Sequence, residues 1–295
     1  MSNGKTKTNE QIAMTVSINS IAVNLILSVF KLAAGLIAGS GAMISDGIHS
    51  ASDVFSTFIV IIGVRISGKD SDADHPYGHD RFECVASIIL AILLGLTGVG
   101  IGMTGIEKLT GGNYGDLTVP GVMALVAAVI SIVVKEMMYW YTRNAAKKIN
   151  SGALMADAWH HRSDALSSIG SFIGVFGARM GFPVLDPLAS VVICIFIIKA
   201  AVDIFRDAVS KMTDKSCDDE TIKKMDDCIR QVDGVMDVDL LKTRTFGSKI
   251  YVDIEISADG DMRLRDAHAI AENVHDTIEK EFPLVKHCMV HVNPA

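Results

Sequence analysis

The sequence predicts an α-helical membrane protein with six transmembrane helices, followed by a small α/β domain of order αββαβ. Three observations lead there. Charge is unevenly spread: of 61 charged residues, 27 basic and 34 acidic, residues 208–295 hold 18 acids and 12 bases, and the much longer 1–207 only 16 and 15. Six apolar stretches of about the length that crosses a bilayer core, roughly 20 helical residues, fill the first part. After residue 208 the pattern changes to short alternating and helical segments, as expected of a water-facing domain of net charge −6.

A polar tail, 1–11, comes first; the apolar run after it is too long for a signal-peptide core and lacks a cleavage pattern, so it is expected to stay. The spans are then expected at about 12–37, 41–67, 82–107, 117–142, 153–179 and 185–206, giving a membrane domain over 12–207. The third is the clearest, since Cys84 to Ile106 contains no charge. Lys5, Lys7, Lys69, Arg81, Arg143, Lys147, Lys148, Lys211 and Lys215 fall on one side of the spans, whereas Lys108 and Arg179 fall on the other. By the positive-inside rule both termini then lie in the cytosol. In the third span Gly98 and Gly102 make a G-x-x-x-G step, read first as tight packing inside one chain and second as a dimer seam. Lys135 and Glu136 are expected to mark the cytoplasmic end of the fourth span, with an ion pair to Asp203 or Asp207 as the guess for their charges.

Residues 208–295 read as a cytoplasmic domain: a helix over 218–231, strands over 235–246 and 249–257, a helix burying Leu264, Ala267, Ile270, Ala271, Val274 and Ile278, and a strand over 287–292. Acidic balance argues against nucleic acid, which needs clustered Lys and Arg. Five cysteines without a C-x-x-C pair give neither a disulfide framework nor a thiolate zinc site.

The second and fifth spans carry the chemistry. In the second only Val54 to Val64 is uncharged, too few to cross, so the helix extends back through Asp53, His49 and Asp46. In the fifth, Ala165 to Ala178 forces an extension back through Asp164, Arg162, His161, His160 and Asp157. Ionisable groups at membrane depth persist mainly when paired, metal-bound or lining a water-filled path. At 1.5 Å per residue, Asp53 lies roughly 18 Å from one face and Asp164 roughly 16 Å from the other. His49 with Asp53 and His160 with Asp164 are each spaced i, i+4, so each pair shares a helix face. Two imidazoles and two carboxylates near one midplane make a tetrahedral set for Zn²⁺ or another divalent ion; two helix-packing ion pairs are the alternative. Asp46 and Asp157 lie on the same stripes, toward the outer exit and the inner mouth, with structural hydrogen bonding an equal expectation. His161 points about 100° from His160 and reads as a supporting or packing residue.

The segments SDGIHSASD (45–53), HPYGH (75–79) and ADAWHHRSDALSS (156–168), set in six spans before an acidic domain, resemble the cation diffusion facilitator family of metal/proton antiporters, in its zinc/iron-type bacterial efflux branch. The resemblance implies a homodimer in the lipid bilayer of the cell (inner) membrane, exporting metal from the cytosol in exchange for protons by alternating access. It implies a transport site of His49, Asp53, His160 and Asp164. A turn through His75-Pro-Tyr-Gly-His79 brings two imidazoles toward Asp72 or Asp74, and the resemblance makes Asp72, His75 and His79 a second, interfacial metal site. A solvated structural corner is the alternative for that loop. The resemblance also implies a copper-chaperone-like (ferredoxin-like) cytoplasmic domain for dimerisation and metal sensing. Asp239, Asp253, His268, His291 and Asn293 fall at or near positions where some members bind a metal pair across the dimer. Several of those members have His at Asp239 and Asp253 and Asp at Asn293.

No H-E-x-x-H protease motif and no nucleotide-binding P-loop is present, so neither an enzyme nor a nucleotide-driven pump is expected. A membrane metal sensor or scaffold without transport is the remaining alternative, and a channel fits poorly with tight buried ligands. Two His and two Asp suit Zn²⁺ first and Fe²⁺ next, with Co²⁺, Cd²⁺, Ni²⁺ and Mn²⁺ also acceptable; the absence of Cys and Met from these four ligands argues against Cu(I).

Overall fold

The computed structural model describes residues 9–38, 41–111, 122–180 and 185–295. The chain divides into two compact units, Met1–Ala208 and Val209–Ala295. Among the described residues six long helices build the first: α1 Asn9–Ala38, α2 Gly41–Ser67, α3 Phe82–Gly111, α4 Val122–Ile149, α5 Gly152–Arg179 and α6 Leu185–Met212. Residues 117–121 of the fourth expected span lie outside the described residues. At its other end α4 runs seven residues past the expected limit at 142.

The bundle is turned inside out relative to a water-soluble protein. Phe55 is 72% exposed, and Ile26, Leu36, Ile37, Leu96, Met137 and Phe196 also face outward. Lys31, Asn24, Asp53, Lys135, Asp157 and His161 are buried. In water such an arrangement loses on both counts, since apolar surface is hydrated and charges are desolvated. In hydrocarbon the outward apolar side chains cost nothing. Among the described residues two helical segments, Asn9–Ala33 and Phe82–Gly111, are long and apolar enough to cross a membrane by length and composition alone.

Small residues let the helices approach. Ala86, Ala146, Ala153, Ala156 and Ala201 share a buried cluster with Val60, Leu90, Leu94, Leu154 and Ile197. The G-x-x-x-G step is used within the chain. A Cβ at Gly98 would stand 2.9 Å from Ile197 Cγ2, and one at Gly102 would collide with Cys194, so α3 seats on α6 through bare backbone.

The second unit is α7 Asp219–Arg230, β1 Asp237–Phe246, β2 Lys249–Ala258, α8 Leu264–Glu281 and β3 Val285–Pro294. Asp218 caps α7 by accepting from the Thr221 amide at 2.9 Å. The sheet order is β1-β2-β3, with β1 antiparallel and β3 parallel to β2. Met225 and Ile229 of α7, and Ile270, Val274 and Ile278 of α8, pack over Val252, Ile254 and Ile256. Leu264 departs from the expected buried face: it is the first residue of α8 and stands 85% exposed.

Candidate metal centre

The bundle gathers Asp53 of α2 with His160 and Asp164 of α5. One ligand atom from each lies within 4.8 Å of the others, and all three residues are buried. His160 Nε2 is 3.5 Å from Asp53 Oδ1. One turn along both helices, Thr57 Oγ1 donates to Asp157 Oδ1 at 3.3 Å. Stepping forward along α2 thus means stepping backward along α5, so the two helices run antiparallel at the site. The i, i+4 spacing turns His160 and Asp164 to one face, as local geometry requires. The side chains of His49 and Asp46 lie outside the described residues.

Lys135 corrects the sequence expectation. Rather than pairing with Asp203 or Asp207, its ammonium enters the centre of the site. Nζ donates to Asp53 Oδ2 at 2.5 Å and to Asp164 Oδ2 at 2.8 Å, and the side chain is 1% exposed. The ion-pair expectation failed because α4 packs against α5, which carries Asp164, and this contact between elements is not written in local spacing. Glu136 faces elsewhere, accepting from Trp140 Nε1 at 3.0 Å and lying 3.8 Å from Arg162. The Arg162 guanidinium stands 4.4 Å above the Tyr139 ring and 5.7 Å from Trp159, a cation–π seat joining α4 to α5. Asp157 and His161 are both fully buried, 3.5 Å apart.

A second group lies at the α2–α3 loop, with Asp72 and His75 exposed and His79 buried. Asp72 lies 3.4 Å from both His75 Nδ1 and His79 Nε2, and the two imidazole centroids are 4.4 Å apart. The corner is a tight turn: Gly78 N donates to the His75 carbonyl at 3.0 Å, and Gly78 adopts φ 91°, where a side chain would be strained. His75 and Asp74 amides both donate to Asp72 Oδ1, and the His75 bond first of all holds the Asp72 carboxyl below the usual carboxylate range. Among the described residues Asp74 is not part of the group.

Among the described residues the cytoplasmic candidates form no cluster of three ligand atoms within one chain. Asp239 sits at the irregularity between Val238 and Leu240 of β1, where a bulge re-aims its carboxylate. It accepts from Asn293 Nδ2 at 2.9 Å and from Ser257 Oγ, bonds that lower its pKa. His268 and His291 line an open groove with Asn293, and His268 lies 3.4 Å from Glu272. Asp253 stands in mid-β2 opposite Lys242 and Met289.

The cation efflux transmembrane domain matches residues 17–213, and the cation efflux protein cytoplasmic domain matches 217–295. The chain belongs to the cation efflux family. It is 35% identical to the manganese efflux system protein MneP of Bacillus subtilis, over 97% of each chain. An uncharacterised transporter of Methanocaldococcus jannaschii is 34% identical, covering 93% of this chain and 95% of its own. The magnetosome protein MamB of Magnetospira is 28% identical over 92% of each. Among solved structures a MamM CTD is 23% identical, covering 26% of this chain and 98% of its own with a TM-score of 0.25. The protein is therefore a membrane protein of the cation efflux type, in a family of metal transporters.

For this cation efflux protein, reading the sequence missed Lys135 and the buried Lys31, whose Nζ donates to Ser50 Oγ at 2.9 Å. The signal was present for both. A basic residue inside an apolar run demands a partner at depth by the same argument that singled out Asp53 and Asp164.

Proposed function

We propose that the protein exports divalent metal cations from the cytosol across the cell membrane in exchange for protons, as a homodimer working by alternating access. The observation that carries this reading is the meeting of Asp53, His160 and Asp164 at one buried point between two antiparallel helices. His49, four residues before Asp53, is proposed as the fourth ligand. Six spans with both termini in the cytosol would place this point near mid-membrane, with the Asp72, His75 and His79 group at the cytosolic loop as an accessory site. The cytoplasmic unit is proposed to pair with its copy.

Two carboxylates with imidazole form a donor set acceptable to Mn²⁺, Fe²⁺ and Zn²⁺ alike. A relative named for manganese efflux brings Mn²⁺ level with Zn²⁺ as the proposed cargo. Proton exchange has a simple chemical basis: only neutral imidazole ligates, so a proton and a metal ion compete for the same nitrogen.

Ion-by-ion flux in proteoliposomes, with an imposed pH gradient, tests the reading. An alkaline cytosolic side should accelerate efflux, and metal movement should itself move protons. Metal binding without any flux would make the protein a sensor, and flux indifferent to the gradient would make it a facilitated carrier.

A further inference from the structure

We propose that Lys135 is a tethered cation that stands in for the metal: it occupies the Asp53 and Asp164 oxygens while the site is empty and must leave them before an ion binds. The proposal rests on the reading of Asp53, His160 and Asp164 as a metal site.

Three observations carry it. The ammonium touches Oδ2 of both carboxylates, so it bridges the two helices that the metal would bridge. The ligand atoms lie within 4.8 Å of one another, which leaves room for one cation among them. Lys135 and Asp53 are 1% and 2% exposed, so water cannot screen a second positive charge. An ammonium has three donors and no lone pair, so it cannot join a coordination shell; it can only compete for the oxygens that would form one.

Charge balance gives the exchange its direction. Two carboxylates and one ammonium leave a net charge of −1, and two carboxylates with a divalent ion balance. An ammonium and a divalent ion together would leave a charge of +1, with two cations repelling each other while drawing on the same carboxylate oxygens. Occupancy by Lys135 and by metal are therefore mutually exclusive. The lysine sets the affinity of the site and lets the carboxylates stay together when the ion has gone. Its neighbour Glu136 is engaged with Trp140 and Arg162 on the other side of α4.

A purely structural pin predicts the opposite sign in a binding experiment, because losing it would loosen the ligands. Calorimetric titration of the detergent-purified full chain with Mn²⁺ and with Zn²⁺ separates the two, using Asp164→Ala to identify which bound ion belongs to the bundle. Lys135→Met should bind that ion about tenfold more tightly, since the two carboxylates lose their competitor. Lys135→Arg, whose fork can bond both carboxylates at once, should bind it several-fold more weakly. In vesicles Lys135→Met should lower both the half-saturating concentration and the maximal flux, because the ion is taken up readily and released slowly. Unchanged or weaker binding by Lys135→Met overturns the proposal. If that variant does not fold, Lys135→Arg decides: weaker binding supports competition, and equal or tighter binding overturns it. Should Asp164→Ala bind as many ions as the parent, the metal site is wrong and the role of Lys135 falls with it. Should Asp164→Ala lose one ion while both Lys135 variants bind like the parent, only the tethered-cation proposal fails.

Discussion

Thr57 Oγ1 donates to Asp157 Oδ1 at 3.3 Å, fastening α2 to α5 one turn from the Asp53 carboxylate. Asp157 in turn faces His161 across 3.5 Å, and both are fully buried. The pair extends the polar interior of the bundle beyond the three candidate ligands, and its nearest described partners are helical neighbours rather than solvent. Asp157→Ala should destabilise the bundle by about 2 kcal/mol, because the buried Thr57 hydroxyl loses its acceptor and the buried His161 ring loses its carboxylate neighbour. Asp157→Asn, which keeps an acceptor oxygen, should cost clearly less. Thermal unfolding in detergent measures the difference, and equal melting of both variants and parent would show that the pair contributes no stability.

His160→Ala and Asp164→Ala should each abolish metal flux while the protein still inserts and purifies normally. Removing one ligand deletes a directed bond to the ion but little packing volume. Vesicle flux at wild-type rate in both variants would exclude the α5 residues from transport.

At the α2–α3 loop, His75→Ala combined with His79→Ala should lower the number or affinity of bound ions while leaving measurable transport, as equilibrium dialysis and vesicle flux would report. The loop also has a pH dependence of known sign. The Asp72 carboxyl is held below the usual range, so its contribution to the turn is complete above the unfolded-state pKa and is lost as pH falls through the folded one. The Asp74 and His75 amides that it accepts from should therefore gain hydrogen exchange only in acid, below about pH 4. Faster exchange near neutral pH would contradict that sign.

Arg162 is held by faces as much as by charges. Replacing it with Lys keeps the charge but loses the planar contact with Tyr139 and Trp159, so melting should shift by the equivalent of about 1 kcal/mol. Unchanged melting would mean that the ring contacts add nothing.

In the cytoplasmic unit, burial pushes the Cys288 thiol up to about 12, with Glu279 and Asp253 adding to the shift. The thiolate is the reactive form, so maleimide at mildly alkaline pH should leave Cys288 unmodified in the folded protein and label it after denaturation. Mass spectrometry of the peptide checks this, and rapid labelling of the native chain would contradict it.

The candidate ligands Asp53, His160 and Asp164 were legible because what marks them is local. A charge inside an apolar run is visible without a fold, and spacing of four residues puts two side chains on one helix face whatever the helix packs against. Asp72, His75 and His79 were legible for the same reason, lying within eight residues around a proline and a glycine. The strands β1 and β2 likewise follow from alternation, since successive side chains must face opposite sides. Lys135 carries the same mark of a charge inside an apolar run, but no local rule names its partners. It lies 82 residues from Asp53 and 29 from Asp164, and its side chain belongs to a third helix whose rotation and depth are fixed by packing against α1 and α5. Leu264 shows the same limit at small scale: helical periodicity assigns it to the buried face, but only the position of the sheet decides where that face has something to cover. Periodicity specifies directions along one element, whereas contacts between elements depend on how close packing sets their relative depth and rotation. For that reason the sequence alone determined which charges must be buried, and the assembled bundle decided which cation they hold.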